Sequence, residues 1–226
     1  MLKLLRNKKT AKKIWIGLGI IIIPAFVFWG FGGAMRDNDE KGYIGKISGK
    51  KISVLEFKDS LNAVRNSAIM LYGENFQEIE KTLNLEDQTW QRIALLETAK
   101  KLKIKASDQE VIQQVESYPF FMRQGKFDNK TYNDLLKYVF RTQARVFEEQ
   151  TRQNIIISKL YNKITEGITI GDEETRDEYL KIKSANDPKF KIDEKKFLNE
   201  KKEFEQAILE KKKQEHFSKF IAELLK

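Results

Sequence analysis

The sequence predicts a mainly α-helical protein: an N-terminal transmembrane helix, then a multi-helix domain that opens with a small hairpin and closes with a long helix. Three observations favour this fold class. Residues 14–35 contain no charged side chain, apolar residues further along recur at spacings of three and four, and 33% charged residues are combined with only three prolines, a composition typical of exposed helices. The predicted division is a basic tail at 1–13, the transmembrane helix at 14–35, a spacer at 36–42 and the helical domain at 43–226.

Residues 14–35 are long enough to cross a membrane. A helix rises about 1.5 Å per residue, so this stretch spans the roughly 30 Å hydrocarbon core of a bilayer. Trp15 and Trp29 lie near its two ends, where aromatic rings favour the membrane interface, and Pro24 is tolerated in membrane helices. The segment therefore predicts a membrane anchor in contact with lipid, marked by Trp15, Pro24 and Trp29.

The excess positive charge is concentrated around this segment. Residues 1–35 carry six basic residues and no acidic one, within a chain of net charge +9. By the positive-inside bias the N-terminus is predicted to be cytoplasmic and the residues after the anchor to be translocated. Because the remaining charge is spread evenly and no nucleic-acid-binding motif accompanies it, nucleic-acid binding is not predicted. A signal peptide cleaved near Gly32-Gly33-Ala34 is the alternative, but the apolar run exceeds a signal core of roughly 7–15 residues.

The helical domain begins with a hairpin and a long helix. Residues 43–53 alternate apolar and polar side chains around a turn, which indicates a small hairpin or an extended segment. Ser53 is the predicted N-cap of the first long helix, and Gly73 is its predicted end. A second helix carries Trp90 and the apolar residues that follow it.

Capping patterns locate the next two helices. Ser107 and Glu110 have the spacing of a capping box, so a third helix is predicted to begin there and to end before Pro119. Gly125 marks a turn, and Asp128 is the predicted N-cap of a fourth helix.

Three further helices complete the domain. The first ends near Gly167, the second is short and contains Tyr179, and the last occupies residues 194–226. The apolar residues of the last helix change face, so that Phe197, Phe204 and Ile208 lie opposite Phe217, Phe220, Ile221 and Leu224. Either this helix bends, or its two halves pack against different neighbours.

Several of these segments follow one another in a characteristic order. They are the basic-flanked anchor, the run Y-I-G-K-I-S-G-K-K-I-S from Tyr43 followed by Glu56-Phe57, a Leu/Ala-rich helix, the run A-K-K-L-K-I-K-A-S-D-Q-E-V from Ala99, Pro119-Phe120, residues 125–128, and Tyr132. Taken together, over about residues 13–165, they resemble the N-terminal chaperone domain of the SurA/PpiD family of envelope folding factors.

The resemblance implies a chaperone in the periplasm, anchored in the inner membrane, with a SurA-N-like core at 43–165, a connector at 166–193 and a returning C-terminal helix at 194–226. The partners it implies are unfolded polypeptide clients near the secretion translocon. Family members usually carry a parvulin-type prolyl isomerase domain before the returning helix. Here fewer than twenty residues separate Tyr179 from Phe197, and paired histidines are missing, so isomerase activity is not expected.

No residue is predicted to carry catalysis or to bind a metal or a cofactor. The chain contains no cysteine, and its single histidine, His216, lies in a Lys/Glu-rich helix where a solvated surface position is expected. Carboxylate pairs such as Glu173/Glu174 point to different faces of charge-rich helices, and no nucleotide-binding motif is present. The protein is therefore predicted not to be an enzyme.

Clustered aromatic and methionine side chains are the predicted client-binding residues. At exposed positions such side chains bind unfolded apolar segments, and methionine adapts to different shapes. The alternative is that they fill the core of the helical domain. The candidates are Met70, Tyr72, Tyr118, Phe120, Phe121 and Met122.

Two functions are compatible with this sequence. The first is a membrane-tethered holdase, which binds unfolded chains without ATP as they leave the translocation channel. The second is a non-catalytic scaffold with one membrane span that binds one folded envelope or translocon partner. A residual prolyl isomerase would need catalytic residues that the sequence does not contain.

Overall fold

The computed structural model describes residues 42–186 and 192–225. In this part the chain is mainly α-helical, as the sequence predicts. The predicted transmembrane helix at 14–35, with Trp15, Pro24 and Trp29, lies outside the described residues, as do the basic tail and nearly all of the spacer. Of the helices formed by the described residues, none combines the length and the apolar character needed to cross a membrane.

A hairpin and a capped helix open the described chain. Strand β1 (Tyr43–Ile47) pairs antiparallel with β2 (Lys50–Ser53), and the two turn residues, Ser48 and Gly49, both have positive φ angles, of 48° and 81°. That is the turn geometry which matches the twist of paired strands. Helix α1 (Val54–Tyr72) begins where Ser53 Oγ accepts a hydrogen bond of 3.1 Å from the Glu56 amide. It ends at Gly73, so both predicted ends of α1 are confirmed.

Seven further helices and a second small hairpin follow α1 in the described chain. The helices are α2 (Phe76–Ile79), α3 (Leu85–Lys101), α4 (Asp108–Glu116), α5 (Asn129–Leu135), α6 (Ala144–Ile164), α7 (Asp172–Asn186) and α8 (Glu194–Leu224). A π-helical turn, Leu136–Phe140, extends α5, and β3 (Met122–Arg123) pairs with β4 (Lys126–Phe127).

The predicted capping residues occupy their predicted places. Ser107 and Glu110 form a reciprocal capping box at the start of α4, with the Ser107 amide donating to Glu110 Oε2 at 2.9 Å. Asp128 caps α5 by accepting from the Thr131 amide at 2.8 Å. The sequence missed α2, the π-helical turn and the pairing of β3 with β4, because each is too short to establish a hydrophobic period.

The described chain divides into two compact units. The first consists of the residues up to Leu160 together with Ile221–Leu225, and the second comprises Tyr161–Phe220. The domain limits inferred from the sequence, a core at 43–165, a connector at 166–193 and a returning helix at 194–226, stay predictions beside this division.

Two groups of buried side chains hold the first unit together. The aromatic cluster surrounds Phe121 and includes Phe76, Tyr132, Leu136, Phe140 and Phe147. The hairpin cluster consists of Ile47, Ile52, Phe57, Trp90, Ile93 and Ala94, with Leu61, Leu224 and Leu225 packed against it. The Trp90 ring lies so close to the hairpin that a Cβ added at Gly45 would be 2.6 Å from Trp90 Cη2.

The second unit is built around tyrosine side chains that contact α8. The Tyr179 ring of α7 lies 5.0 Å from each of the Phe197 and Phe204 rings, and the Tyr161 ring of α6 lies 5.1 Å from that of Phe217. Helix α8 is continuous from Glu194 to Leu224. The change of apolar face along α8 therefore corresponds to packing against different neighbours, the second of the two alternatives left open by the sequence.

Replacing Gly45 by alanine is expected to lower the free energy of unfolding by about 1–3 kcal/mol, because the added methyl group overlaps the Trp90 ring in a packed core. Urea denaturation followed by circular dichroism measures this change. In a Trp90→Phe background the ring is smaller, so the same glycine substitution should cost less. An equal cost in both backgrounds would show that the contact with Trp90 is not its cause.

Candidate functional site

A groove of about 840 Å³ runs along the first unit between α1, α3 and α6. The lining residues recur every three or four positions on each helix, so each helix contributes one face. The α1 side is formed by Ser53, Leu55, Glu56, Asp59, Ser60, Asn62, Arg65 and Asn66, the α3 side by Ile93, Leu96, Glu97 and Lys100, and the rest by Phe140, Arg141, Thr142, Arg145, Val146, Glu149, Gln150 and Gln153.

A buried polar network lies along the bottom of this groove. Asn66 Nδ2 donates to Gln150 Oε1 at 2.8 Å, and both side chains are buried, which connects α1 to α6. Arg92 connects α3 to the same helix: Nη1 donates to Asn154 Oδ1 at 2.6 Å and Nη2 to Gln153 Oε1 at 2.9 Å. A third bond, from Nη2 to the Gln150 carbonyl oxygen, measures 3.3 Å.

Arg92 is a buried cation without a carboxylate partner in the part of the chain that the structure describes. Only 7% of the residue is exposed, and its Nε finds no hydrogen-bond acceptor among the described atoms. Burial lowers the pKa of Arg92 to about 10, so the guanidinium keeps its charge at neutral pH. The amide groups of α6 therefore stabilise a positive charge directly behind the groove.

Exposed apolar side chains line the groove on two of its helices. Leu55 on α1 is 69% exposed and Val146 on α6 is 45% exposed. Leu96 is half-buried, whereas Ile93 and Phe140 are buried beneath the surface. Contact between large apolar side chains and water is unfavourable, so covering Leu55 and Val146 with another apolar surface would lower the free energy.

The lining is more highly charged than that of a typical small-molecule pocket. Eight of the twenty lining residues are charged, whereas pockets for small ligands are mostly apolar with a few placed polar groups. Within residues 42–186 and 192–225, no group of three or more His, Asp or Glu side chains could hold a metal. His216 lies on α8 and is exposed, as the sequence predicts.

Five of the six candidate client-binding residues belong to the aromatic cluster or pack against it, and the sixth, Met122, directly follows Phe121 in the chain. Phe121 is fully buried, with its ring 4.9 Å from that of Tyr132 and 5.6 Å from that of Phe147. The core alternative therefore describes Phe121, because a side chain without exposed surface does not reach a client. The other five are half-buried, and client contact by them stays a prediction; they are Met70, Tyr72, Tyr118, Phe120 and Met122.

The groove itself was not identified from the sequence. Its polar network joins residues far apart in the chain, such as Asn66 and Gln150, which are 84 positions apart. One signal was present: Gln153 falls on the apolar stripe of α6, where a polar side chain must find a partner or face a cavity. The partner, Arg92, lies on another helix and has no local sequence signature.

Comparison with known proteins identifies relatives of this chain. Residues 1–161 match the family model described as the SurA-like N-terminal domain. The periplasmic chaperone PpiD of Escherichia coli K12 is 28% identical over 172 residues, which cover 73% of this chain and 27% of that protein. The periplasmic chaperone PpiD of Buchnera aphidicola is 23% identical over 186 residues, 78% of this chain and 29% of that protein. The chain thus spans less than a third of the length of these curated relatives. No solved structure matches it.

Replacing Arg92 by alanine is expected to lower the free energy of unfolding by about 2–4 kcal/mol, because the carbonyl oxygen of buried Gln150 and the side-chain oxygens of half-buried Gln153 and Asn154 lose their donor. Lys101→Ala provides the matched control: Lys101 is exposed on the same helix and should cost less than about 0.5 kcal/mol. Chemical denaturation of both variants measures the difference. Equal stability of the two variants would mean that the network does not hold α3 against α6.

Proposed function

Because the chain belongs to the SurA-like N-terminal domain family, we propose that it is a chaperone that holds unfolded polypeptide segments in the groove between α1, α3 and α6. It acts as a holdase without nucleotide and without prolyl isomerase catalysis. The observation that carries this proposal is the groove itself, in which exposed Leu55 and Val146 lie beside buried amide side chains. The curated relatives are named periplasmic chaperones.

The chemistry of the groove suits an unfolded chain better than a folded ligand. An unfolded segment presents both apolar side chains and unpaired backbone amides and carbonyls. Leu55 and Val146 offer apolar surface, and Asn62, an exposed amide on the α1 side, offers both donors and acceptors. Neither type of contact requires a particular client sequence, so clients of different sequence are expected to bind.

The available apolar surface favours weak, reversible binding. Full burial of a Leu or Val side chain contributes about 1.5–3 kcal/mol, so the two together contribute at most about 3–6 kcal/mol. Association costs roughly 4–15 kcal/mol of lost translational and rotational freedom, and the ordering of a flexible client adds to that cost. Spontaneous release follows, and no nucleotide-driven step is needed.

The predicted anchor at 14–35 would hold the chaperone domain at the membrane. A periplasmic domain that is tethered to the inner membrane meets clients where they leave the secretion channel. Tethering raises the local concentration of the groove near those clients without any gain in intrinsic affinity. The translocon and the lipid bilayer are therefore proposed neighbours of the protein.

A second contact surface is proposed at the edge of the aromatic cluster. Tyr118 and Phe120 stack with their ring centroids 5.2 Å apart, and both are half-buried. Met122, which follows them in the chain and is also half-buried, adds a flexible apolar side chain. The exposed parts of these residues, with Met70 and Tyr72, would extend the apolar surface that is offered to a client.

The double substitution Leu55→Ser with Val146→Ser should weaken binding of unfolded clients about tenfold or more, because it removes the apolar surface of the groove. Leu55 is 69% and Val146 45% exposed, so the melting temperature should fall only slightly. Aggregation of several unrelated unfolded proteins in the presence of the full chain, followed by light scattering, measures the effect. Met122→Ser, assayed in parallel, tests the second surface.

The matched control is Ile112→Ser with Leu198→Ser. These side chains are 49% and 66% exposed and lie outside the groove lining, so their loss should leave client binding intact. Equal weakening by both double variants would remove the groove from the mechanism. Binding of one native protein, with no effect on unfolded ones, would favour the scaffold alternative.

Two arginines placed inside the proposed anchor should release the protein from the membrane. Each arginine near the centre of a membrane helix costs about 2.5–3.5 kcal/mol of insertion free energy, so Ile21→Arg with Ile22→Arg should prevent stable insertion. Extraction of cell membranes with alkaline carbonate, followed by immunoblotting, detects the shift to the soluble fraction, and Ile22→Leu serves as the control. A parent chain that is already extracted by carbonate would contradict the anchor.

A further inference from the structure

Three of the four acidic residues of the groove are already paired with cations outside it. Glu56 and Glu97 both accept from Lys50 Nζ, at 2.7 and 2.6 Å. Glu149 pairs with Arg152 at 3.1 Å. Lys50 and Arg152 are not part of the lining. They offset part of the negative charge of these carboxylates, since Lys50 shares one charge between two of them and Arg152 also pairs with Asp108 at 2.7 Å.

Most basic residues of the groove have no such partner. Arg65 pairs with Glu80 at 2.9 Å. Lys100, Arg141 and Arg145 are exposed, and within the described chain none of the three takes part in an ion pair. Their charges remain available to a ligand.

The charges of the groove that have no ion-pair partner among the described residues are therefore mostly positive. By formal charge the lining is neutral, since it contains four acidic and four basic residues. Of the lining carboxylates, only Asp59 lacks an ion pair to another described residue. The lining therefore has three unpaired cations and one unpaired carboxylate. In addition, the buried guanidinium of Arg92 donates to Gln150 and Gln153. Its charge is little screened because few water molecules surround it.

The available cations lie beside the exposed apolar surface. Arg145 directly precedes Val146 on α6, and Lys100 lies one turn after Leu96 on α3. The backbone of Arg141 is fixed at the end of the π-helical turn, where its amide donates to the Leu136 carbonyl oxygen. A ligand that covers the apolar side chains thus comes within reach of these charges.

We infer that the groove selects unfolded segments in which aspartate or glutamate residues lie close to apolar residues. This inference rests on the proposed function and names its preferred client class. The client carboxylates pair with Lys100, Arg141 and Arg145, while its apolar side chains cover Leu55 and Val146. Charge complementarity of this kind discriminates between partners and speeds their encounter.

Three fluorescent peptides that share their apolar residues and carry Glu, Gln or Lys at the remaining positions test the inference by fluorescence anisotropy with the full chain. At low ionic strength the Glu peptide should bind roughly 3- to 30-fold more tightly than the Gln peptide, and the Lys peptide most weakly. The preference should decline as salt is added, because exposed pairs are screened.

A matched pair of variants assigns the preference to the groove. Lys100→Gln with Arg145→Gln should remove most of the preference for the Glu peptide, measured within the variant as the ratio of its affinities for the Glu and Gln peptides. Lys101→Gln with Lys105→Gln removes the same net charge from exposed positions outside the lining and should leave the preference intact. Circular dichroism of each variant establishes that it is folded.

The possible outcomes separate the inference from the function on which it rests. Equal binding of the three peptides, or preference for the Lys peptide, would overturn the inference and leave the holdase proposal standing. A preference that both double variants reduce equally would assign it to the net charge of the chain and overturn the groove as its source. If no peptide binds and no unfolded protein is protected, the proposed function itself is wrong.

Discussion

The groove depends on the buried polar network that surrounds Arg92. A guanidinium that is 7% exposed, without a carboxylate beside it in the described chain, keeps its charge only if neutral oxygens are held around it. Asn154, Gln153 and the Gln150 carbonyl supply those oxygens from α6. The network therefore fixes the position of α3 relative to α6, since a shift of either helix would leave a charge and several amides unpartnered.

In the first unit, the residues that stabilise the fold differ from the apolar residues that are exposed in the groove. The aromatic cluster around Phe121 and the hairpin cluster around Trp90 supply the apolar burial that stabilises the fold. Between them, the polar network replaces apolar packing at the interface of the three helices. Leu55 and Val146 belong to neither cluster and are exposed in the groove.

The sequence predicted the local structure well and the candidate site poorly, for one physical reason. Ser53, Ser107 and Asp128 act through hydrogen bonds to residues three positions away, so their role is visible in a short stretch of sequence. The groove brings together residues from three helices that only the tertiary fold makes neighbours. Phe121 shows the same limit, because an aromatic residue looks alike in sequence whether it is buried or exposed.

Charge is where the gap between sequence and structure matters most for function. The chain is strongly basic, and six of its basic residues precede the predicted anchor. The groove lining, in contrast, contains equal numbers of acidic and basic residues. Neither number describes the charges available to a ligand. A side chain that is engaged in an ion pair is less available for binding, although it is still counted in the net charge. Lys50 alone engages two lining carboxylates. Ion pairs with Lys50 and Arg152 thus leave mostly cations unpaired in the lining, and only the three-dimensional arrangement of the partners reveals this.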